Sequence, residues 1–368
     1  MAKRRYELDT RVLTIFFFVA MPFVAFGSFL IVSMARASLK ESLGNSFEQR
    51  AFETKFLLER YVADQADHLR ALALDPQLRA ALATPAKERT AEDAKKLEQD
   101  WVQGQESKLI TGILTSPLSG RLRDAVQVYP AVRLLQLVDS TGRLVASSTR
   151  GGRLLNGETS WFRALVEDST DSPYVGDVRR PQGASLPVLE LAFPVYNEER
   201  RLEGALRGLV DASHLYGVLA PVRVGHSGRA RLIRRADGII LASNESHEIL
   251  KEPFPGFAQI EAAMRERRGY WVVPERGTDP ARLVAYSPVE HVGAVDWLVV
   301  VEQDYAEAMA PIQEVTRYLW VHFIGAFGSV ILLALYLSFK LEAPVIDEEL
   351  HLHEQHVPAG TRPAGIEQ

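Results

Sequence analysis

The chain has 368 residues, 47% of them hydrophobic, so it can bury a sizeable core and hold more than one domain-sized unit. Its 42 basic and 47 acidic residues give a net charge of −5 without a basic block, which argues against nucleic acid as a partner. The absence of cysteine excludes disulfides, thiolate metal sites and a cysteine nucleophile.

Two apolar segments contain no charged residue, one at positions 12–35 and one at positions 318–339. Both are long enough to span a bilayer as a helix. For the first segment the alternative is a cleaved signal peptide, because Ala35-Arg36-Ala37 has the small-x-small spacing of a cleavage site. The apolar part of a signal peptide is normally only about 7–15 residues long, which favours a membrane span.

The basic residues at positions 3–5 predict the orientation of these spans. By the positive-inside rule they place the N-terminal segment 1–11 in the cytoplasm. Two spans then return the tail, residues 340–368, to the same side. We therefore expect a two-pass protein of a bacterial inner membrane, with residues 36–317 in the periplasm.

The second span carries Gly325 and Ser329, four residues apart. This spacing places small residues on one helix face, where two membrane helices can approach closely. A homodimer through this face is one interpretation, and ordinary small residues in a membrane helix are the other.

Between the spans, residues 36 to about 75 carry apolar side chains at spacings of three, four and seven, which predicts a long amphipathic helix. The pattern later changes to short apolar runs around turns. Two hairpins of the same size are predicted, one with its turn at Gly142 and one with its turn at Gly238. The 96-residue offset between these glycines also aligns Tyr174 with Tyr270, which indicates either a duplicated unit of about 95 residues or a chance match.

Each unit reads as a hairpin, a helix-rich connection and then two or three apolar strands. This order predicts an α+β fold, with the long N-terminal helix followed by two modules built on antiparallel sheets.

The most specific stretch covers residues 137–215 and contains LVDSTGRLVASS, WFRALVEDSTDSPYVGDV and PVLELAFPVYNEERRLEGALRGLVDASHL. Together with the long helix, it resembles the double Cache family of PAS-like extracytoplasmic sensor domains. The resemblance implies a membrane-distal module within residues 36–215, including the long helix, and a membrane-proximal module at residues 216–317.

The same resemblance implies a ligand site in the distal module. In members that bind amino acids, an arginine two residues before a tryptophan holds the ligand carboxylate, and aromatic residues and an aspartate hold the rest. Here Thr159 stands at the arginine position, and threonine cannot form the bidentate pair that arginine forms with a carboxylate. The residues carried over, together with the nearby Asp177, give a candidate ligand-binding set for an amine or amino-acid-like molecule: Trp161, Phe162, Tyr174, Asp177 and Asp211. The alternative for the aromatic members is hydrophobic core.

Motifs for catalysis and cofactors are missing from the sequence. It has no Walker loop, no Gly-x-Gly-x-x-Gly and no Gly-x-Ser-x-Gly elbow, so we expect neither an enzyme nor a cofactor. The tail histidines His351, His353 and His356 are two and three residues apart rather than at the four-residue spacing of a zinc protease helix, which favours a solvated acidic helix over a metal site.

The 29 residues after the second span are too few for a kinase or another transmitter domain. We therefore expect a receptor that senses a small molecule outside the cytoplasm and passes its signal to a separate protein, such as a histidine kinase. The alternative function is a binding or scaffold protein of the cell envelope that uses a Cache fold without a ligand.

Overall fold

The computed structural model describes residues 10–83, 91–167, 172–181, 184–245, 249–263, 268–275, 277, 279–290, 292–293 and 295–341. The chain divides into two units. Leu39–Met309 form one, and the described parts of Met1–Ser38 and Ala310–Gln368 form the other.

The described residues contain the following helices: α1 (Thr10–Ala73), α2 (Pro76–Leu82), α3 (Ala91–Gln103), α4 (Lys108–Leu114), α5 (Pro117–Val128), α6 (Ser160–Glu167), α7 (His214–Leu219), α8 (Phe257–Ala263), α9 (Tyr305–Ala308) and α10 (Ala310–Leu341). The strands are β1 (Val132–Asp139), β2 (Leu144–Ser147), β3 (Tyr174–Val175), β4 (Val188–Tyr196), β5 (Leu202–Asp211), β6 (Arg229–Arg234), β7 (Ile240–Ser243), β8 (Gly269–Val273), β9 (Arg282–Val289) and β10 (Trp297–Asp304).

The strands form two antiparallel sheets with the same topology. One sheet, called the distal sheet after the predicted module that contains it, has the order β2-β1-β5-β4-β3, and the other, called the proximal sheet in the same way, has the order β7-β6-β10-β9-β8. Both predicted hairpins are present, and their turn glycines Gly142 and Gly238 have positive φ angles of 79° and 73°. The expected α+β fold of two antiparallel modules after a long helix is confirmed.

Helix α1 is a continuous helix of 64 residues. Its buried apolar residues recur with spacings of four and seven, so they form one stripe along a single face. This stripe belongs to a core that also contains residues of both sheets, among them Leu135 of β1 and Leu232 of β6. Burial of each leucine-sized side chain contributes about 1.5–3 kcal/mol. The stripe consists of Phe47, Ala51, Leu58, Val62, Leu69 and Ala73.

The glycine at position 44 of α1 is explained by its contact with the proximal sheet. The ring of Tyr270 on β8 lies so close to Gly44 that a Cβ added there would be 2.4 Å from the ring. Side chains essentially never approach so closely, so the helix packs on this strand only because position 44 has no side chain.

Local capping ends α1 and begins the short helices that follow. Asp75 accepts a hydrogen bond from the backbone N–H of Gln77, and Pro76 occupies the first turn of α2. Helix α5 begins in the same way, with Ser116 accepting from the N–H of Ser119 and with Pro117 in its first turn.

Two helices are long and apolar enough to cross a membrane, the N-terminal part of α1 and α10. The predicted spans 12–35 and 318–339 lie within these helices. Apolar side chains such as Phe26 and Leu332 are exposed along them, as expected for contact with lipid. These helices are compatible with a two-pass inner-membrane protein.

Candidate ligand-binding site

The aromatic pair of the candidate site lies on α6. Its short sequence SWFRALVE places Trp161, Phe162 and Leu165 on the buried face of the helix. The two aromatic rings meet edge to face, with 5.5 Å between their centroids and an interplanar angle of 85°. Both side chains belong to a core on the side of the distal sheet opposite α1.

Tyr174 packs against the same core from the edge strand β3. Its side chain is half-buried. Burial raises the pKa of its hydroxyl, the nearby Glu190 carboxylate adds to this effect, and a hydrogen bond with Ser160 opposes it. The structure therefore brings Trp161, Phe162 and Tyr174 together on one face of the distal sheet.

A buried ion pair lies under these aromatic residues. Arg207 of β5 donates from Nε to Oε1 of Glu190 on β4 over 2.6 Å, and only about 5% of each residue is exposed. The guanidinium also donates to the Gln136 side chain on β1 over 2.6 Å. Burial lowers the pKa of Arg207, and the charge of Glu190 and its hydrogen bond oppose this shift.

The loop after β2 closes over this ion pair. Gln136 donates to the carbonyl of Gly151 over 2.9 Å. At the neighbouring Gly152, which has a φ of +61°, an added Cβ would lie 2.8 Å from Arg207 Nη1. The close approach and the backbone conformation together explain why this position is glycine.

The guanidinium of Arg207 also stacks on Trp161, with 5.5 Å between Cζ and the ring centroid. A cation of the protein thus already occupies a face of the ring that the sequence assigned to a cationic ligand. The indole Nε1 of Trp161 is buried and has no acceptor among the described residues. The buried Oδ1 of Asn156, in the segment that leads to α6, likewise has no donor among them.

Asp211 has other partners. Arg133 donates to its Oδ2 over 2.7 and 3.1 Å, and the N–H of Ser213 donates to its Oδ1 over 2.8 Å. Burial opposes ionisation of Asp211, but these hydrogen bonds outweigh it and lower the pKa of the carboxyl. On α1, burial and the negative charge of Asp211 raise the pKa of Tyr61 to about 12. Asp211 follows Arg207 by four residues along β5, roughly 13 Å at the rise of a strand.

Asp177 contacts the proximal module instead of the aromatic residues. Its Oδ1 accepts a hydrogen bond from the indole Nε1 of Trp297 over 2.8 Å, and its Oδ2 pairs with Arg234. Thr159 donates to the carbonyl of Asn156 over 2.6 Å, in the turn before α6. Arg179, two residues after Asp177, is half-exposed and lies 3.3 Å from Glu190.

Sequence reasoning missed Gln136, Glu190 and Arg207. The signal was a lone charged residue within each of two apolar runs, Glu190 in VLELAFPV and Arg207 in GALRGLV. A charge in a buried strand is costly unless it is paired, so two such charges in neighbouring strands indicate a buried ion pair.

The proximal sheet has a comparable arrangement on the face turned away from α1. Arg231 of β6 pairs with Glu302 of β10, and both are almost completely buried. Arg282 adds a second contact to the Glu302 carboxylate at 3.3 Å. The Cζ of Arg231 lies 5.5 Å from the Phe254 ring centroid. The tail histidines of the sequence prediction lie outside the described residues.

Comparison with known proteins identifies relatives of this fold. The sequence model of the Cache domain family matches residues 38–312. The ligand-binding domain of the Campylobacter jejuni chemoreceptor Tlp3, solved with 4-methylisoleucine, is 14% identical, with a TM-score of 0.50 over 74% of this chain and 94% of that domain. The ligand-binding domain of the Pseudomonas aeruginosa PAO1 amino acid chemoreceptor PctB, solved with L-Arg, is 15% identical, with a TM-score of 0.47 over 73% of this chain and 98% of that domain. No curated protein matches the chain by sequence.

Proposed function

Because the chain belongs to the Cache domain family, we propose that it is a membrane-anchored receptor whose distal module senses a small molecule outside the cytoplasm. The proposal includes the predicted topology, with residues 36–317 in the periplasm and both termini in the cytoplasm. Two apolar helices that flank the matched region support this topology.

The observation that carries the proposal is the unsatisfied indole N–H of Trp161. A buried donor without an acceptor costs about 1–3 kcal/mol, so such a group calls for a partner. At the other end of the same segment, the Asn156 Oδ1 lacks a donor among the described residues. A small molecule that carries both an acceptor and a donor has the groups that these two atoms lack, and an amino-acid-like ligand has this chemistry.

The charges near the site support a zwitterion better than a simple cation. Arg207 already stacks on Trp161, and Asp211 is already paired with Arg133. A bare amine would therefore meet a ring face of Trp161 that Arg207 already covers and an Asp211 carboxylate that Arg133 already pairs. The acceptor of the ligand would meet the Trp161 N–H, and the half-exposed Arg179, which contacts the Glu190 carboxylate, is a candidate for a second contact.

A thermal-shift screen of the full chain in detergent tests this function, with amino acids, amines and carboxylates as separate sets. A ligand present at about 100 times its Kd stabilises the folded protein by about 2.7 kcal/mol. We expect stabilisation by at least one amino-acid-like compound. The Trp161→Phe variant keeps the ring edge but loses the N–H, so its affinity should fall by about tenfold. The proposal is wrong if no set stabilises the protein, or if Trp161→Phe binds as well as the wild type.

The second candidate function is an envelope scaffold that binds no small molecule. The Arg207–Glu190 pair favours it, because the two charges satisfy each other and fill the space beneath the aromatic residues. A screen without a hit, together with co-purification of other envelope proteins, would support this alternative.

The output of the receptor is proposed to reside in a separate signalling protein, such as a histidine kinase that contacts the spans or the tail. We expect affinity purification from membranes to recover such a protein. A parallel purification without residues 342–368 distinguishes contact through the tail from contact through the spans. Recovery of no signalling protein in either experiment would contradict this part of the proposal.

A further inference from the structure

The two residues of the short strand β3 pack into two different hydrophobic cores. Tyr174 packs with the aromatic core of the distal module, whereas Val175 belongs to the core shared with α1. Successive side chains of a strand point to opposite faces, which explains this division. Asp177, two residues after Val175, then reaches the proximal module.

The contacts of Asp177 join the two modules through hydrogen bonds to a charged group. Its carboxylate accepts from the indole of Trp297, which is completely buried at the start of β10, and it pairs with Arg234 of β6. Hydrogen bonds to a charged group are roughly twice as strong as those between neutral groups, so this contact is one of the stronger polar contacts available between the modules.

A second contact beside it is apolar and tight. Gly293, in the segment that precedes β10, lies against Val175, and a Cβ at Gly293 would be 2.9 Å from the Val175 Cβ. A shift of β3 toward or away from the proximal module would therefore change the packing of this segment. The segment before β10 thus contacts β3 through Gly293 and Val175, and the start of β10 contacts the residue two positions after β3 through Trp297 and Asp177.

Strand β3 is suited to move. It contains two residues, lies at the edge of the distal sheet and pairs only with β4 among the described strands. Elements held by few ladder hydrogen bonds open at a lower free energy than central strands. Strand β10, in contrast, is central in the proximal sheet, and the chain runs from its last residue, Asp304, through α9 into α10.

We propose that Asp177 is a coupling residue, through which a displacement of β3 caused by ligand at Tyr174 reaches Trp297 and β10, the strand that leads into the second span. This inference rests on the proposed function for its physiological meaning. Its physical content, the coupling of position 174 to β10 through Asp177, can be measured without any ligand.

Hydrogen–deuterium exchange of the full chain in detergent tests this coupling. Variants at positions 174 and 177, alone and combined, form a double-mutant cycle. Tyr174→Phe removes only the hydroxyl, and Tyr174→Ala removes the whole ring. We expect Tyr174→Ala to increase amide exchange at residues 297–300 by about fivefold or more, because a loosened β3 weakens its contacts with the start of β10. In the Asp177→Asn background, Tyr174→Ala should give no further increase there. Tyr174→Phe gives the same comparison if the alanine variant does not fold.

Asp237→Asn is the matched control. Asp237 also pairs with Arg234, but it belongs to the proximal hairpin itself, so its loss should leave the effect of Tyr174→Ala unchanged. An effect of Tyr174→Ala that is equal with and without Asp177, or an absence of any change at β10, overturns the coupling. A failed ligand screen would overturn the proposed function and leave this result as it stands.

Discussion

The guanidinium carbon of Arg207 lies 5.5 Å from the ring centroid of Trp161, so a cation that belongs to the protein stacks on the tryptophan of the candidate site. The charge of this cation is balanced within the same core by Glu190. The distal module thus holds a complete ion pair beside a buried N–H that has no acceptor among the described residues. Any ligand has to bind next to this pair or displace one of its partners.

The first prediction concerns the cost of leaving Arg207 unpaired. Glu190→Gln removes the compensating charge from a buried guanidinium, so the free energy of unfolding should fall by about 3–5 kcal/mol. Urea unfolding of the purified chain, followed by circular dichroism, measures this loss.

Two further variants serve as controls for this prediction. Arg179→Gln removes only a half-exposed partner of the same carboxylate and should cost less than about 1 kcal/mol. Replacing both buried partners, with Glu190→Leu and Arg207→Met, should recover most of the stability. Equal losses of unfolding free energy for Glu190→Gln and Arg179→Gln would show that Arg207 does not depend on the charge of Glu190.

The second prediction concerns the contact between Gly44 and Tyr270. Gly44→Ala forces the tyrosine ring away from α1 and should destabilise the protein by about 1–3 kcal/mol. Thermal unfolding measures the change. Gly112→Ala in α4 is the matched helical control, since no atom lies within 4 Å of its added Cβ, and it should stabilise by up to about 1 kcal/mol. A neutral Gly44→Ala would mean that Tyr270 has room to move.

The third prediction concerns acid stability at Glu307 of α9. Hydrogen bonds from the backbone N–H groups of His226 and Ser227 and from the Ser227 hydroxyl lower the pKa of Glu307 to about 2. Because its pKa in the folded state is below the unfolded value of about 4.3, Glu307 stabilises the protein above that pH. This stabilisation is lost as the pH falls through about 2.

The difference in Tm between the wild type and Glu307→Gln should therefore be constant above about pH 5 and shrink toward zero near pH 2. Ser227→Ala removes one donor and so raises the folded-state pKa, which should make the Tm difference above about pH 5 smaller and complete its loss at a higher pH. A Tm difference that does not change with pH would contradict the role of these hydrogen bonds.

The fourth prediction concerns self-association in the membrane. No atom lies within 4 Å of a Cβ added at Gly325, and the Ser329 hydroxyl bonds to the carbonyl of Gly325 in its own helix, so this face of α10 has no protein neighbour within the described chain. If two copies meet there, Gly325→Cys should form a disulfide dimer under mild oxidation. The natural chain has no cysteine, so any disulfide that forms must join the introduced cysteines. Ile331→Cys, on a different face of the helix, should stay monomeric, and monomers for both variants would exclude this interface.

The sequence was sufficient for the elements whose signals are local. The stripe of α1 from Phe47 to Ala73 is a periodic pattern, and the hairpins around Gly142 and Gly238 are defined by turn residues that tolerate positive φ. These features need no knowledge of distant neighbours.

Pairings between distant residues could not be derived in this way. Arg207 and Glu190 meet because β4 and β5 pair in a register that sets Arg207 opposite Ala192 and Glu190 opposite Leu209. A shift of one residue would turn one of the charges to the other face. Asp177 accepts a hydrogen bond from Trp297, which is 120 positions away in the chain, and no local pattern indicates such a contact.

The shared stripe of α1 also limits how this protein can be divided into parts or fused to other proteins. Each sheet keeps one apolar face against the same helix, so a module transplanted alone into another protein would carry a surface with nothing to cover it. The transferable unit is α1 with both sheets, and we expect it to unfold in a single cooperative transition rather than module by module.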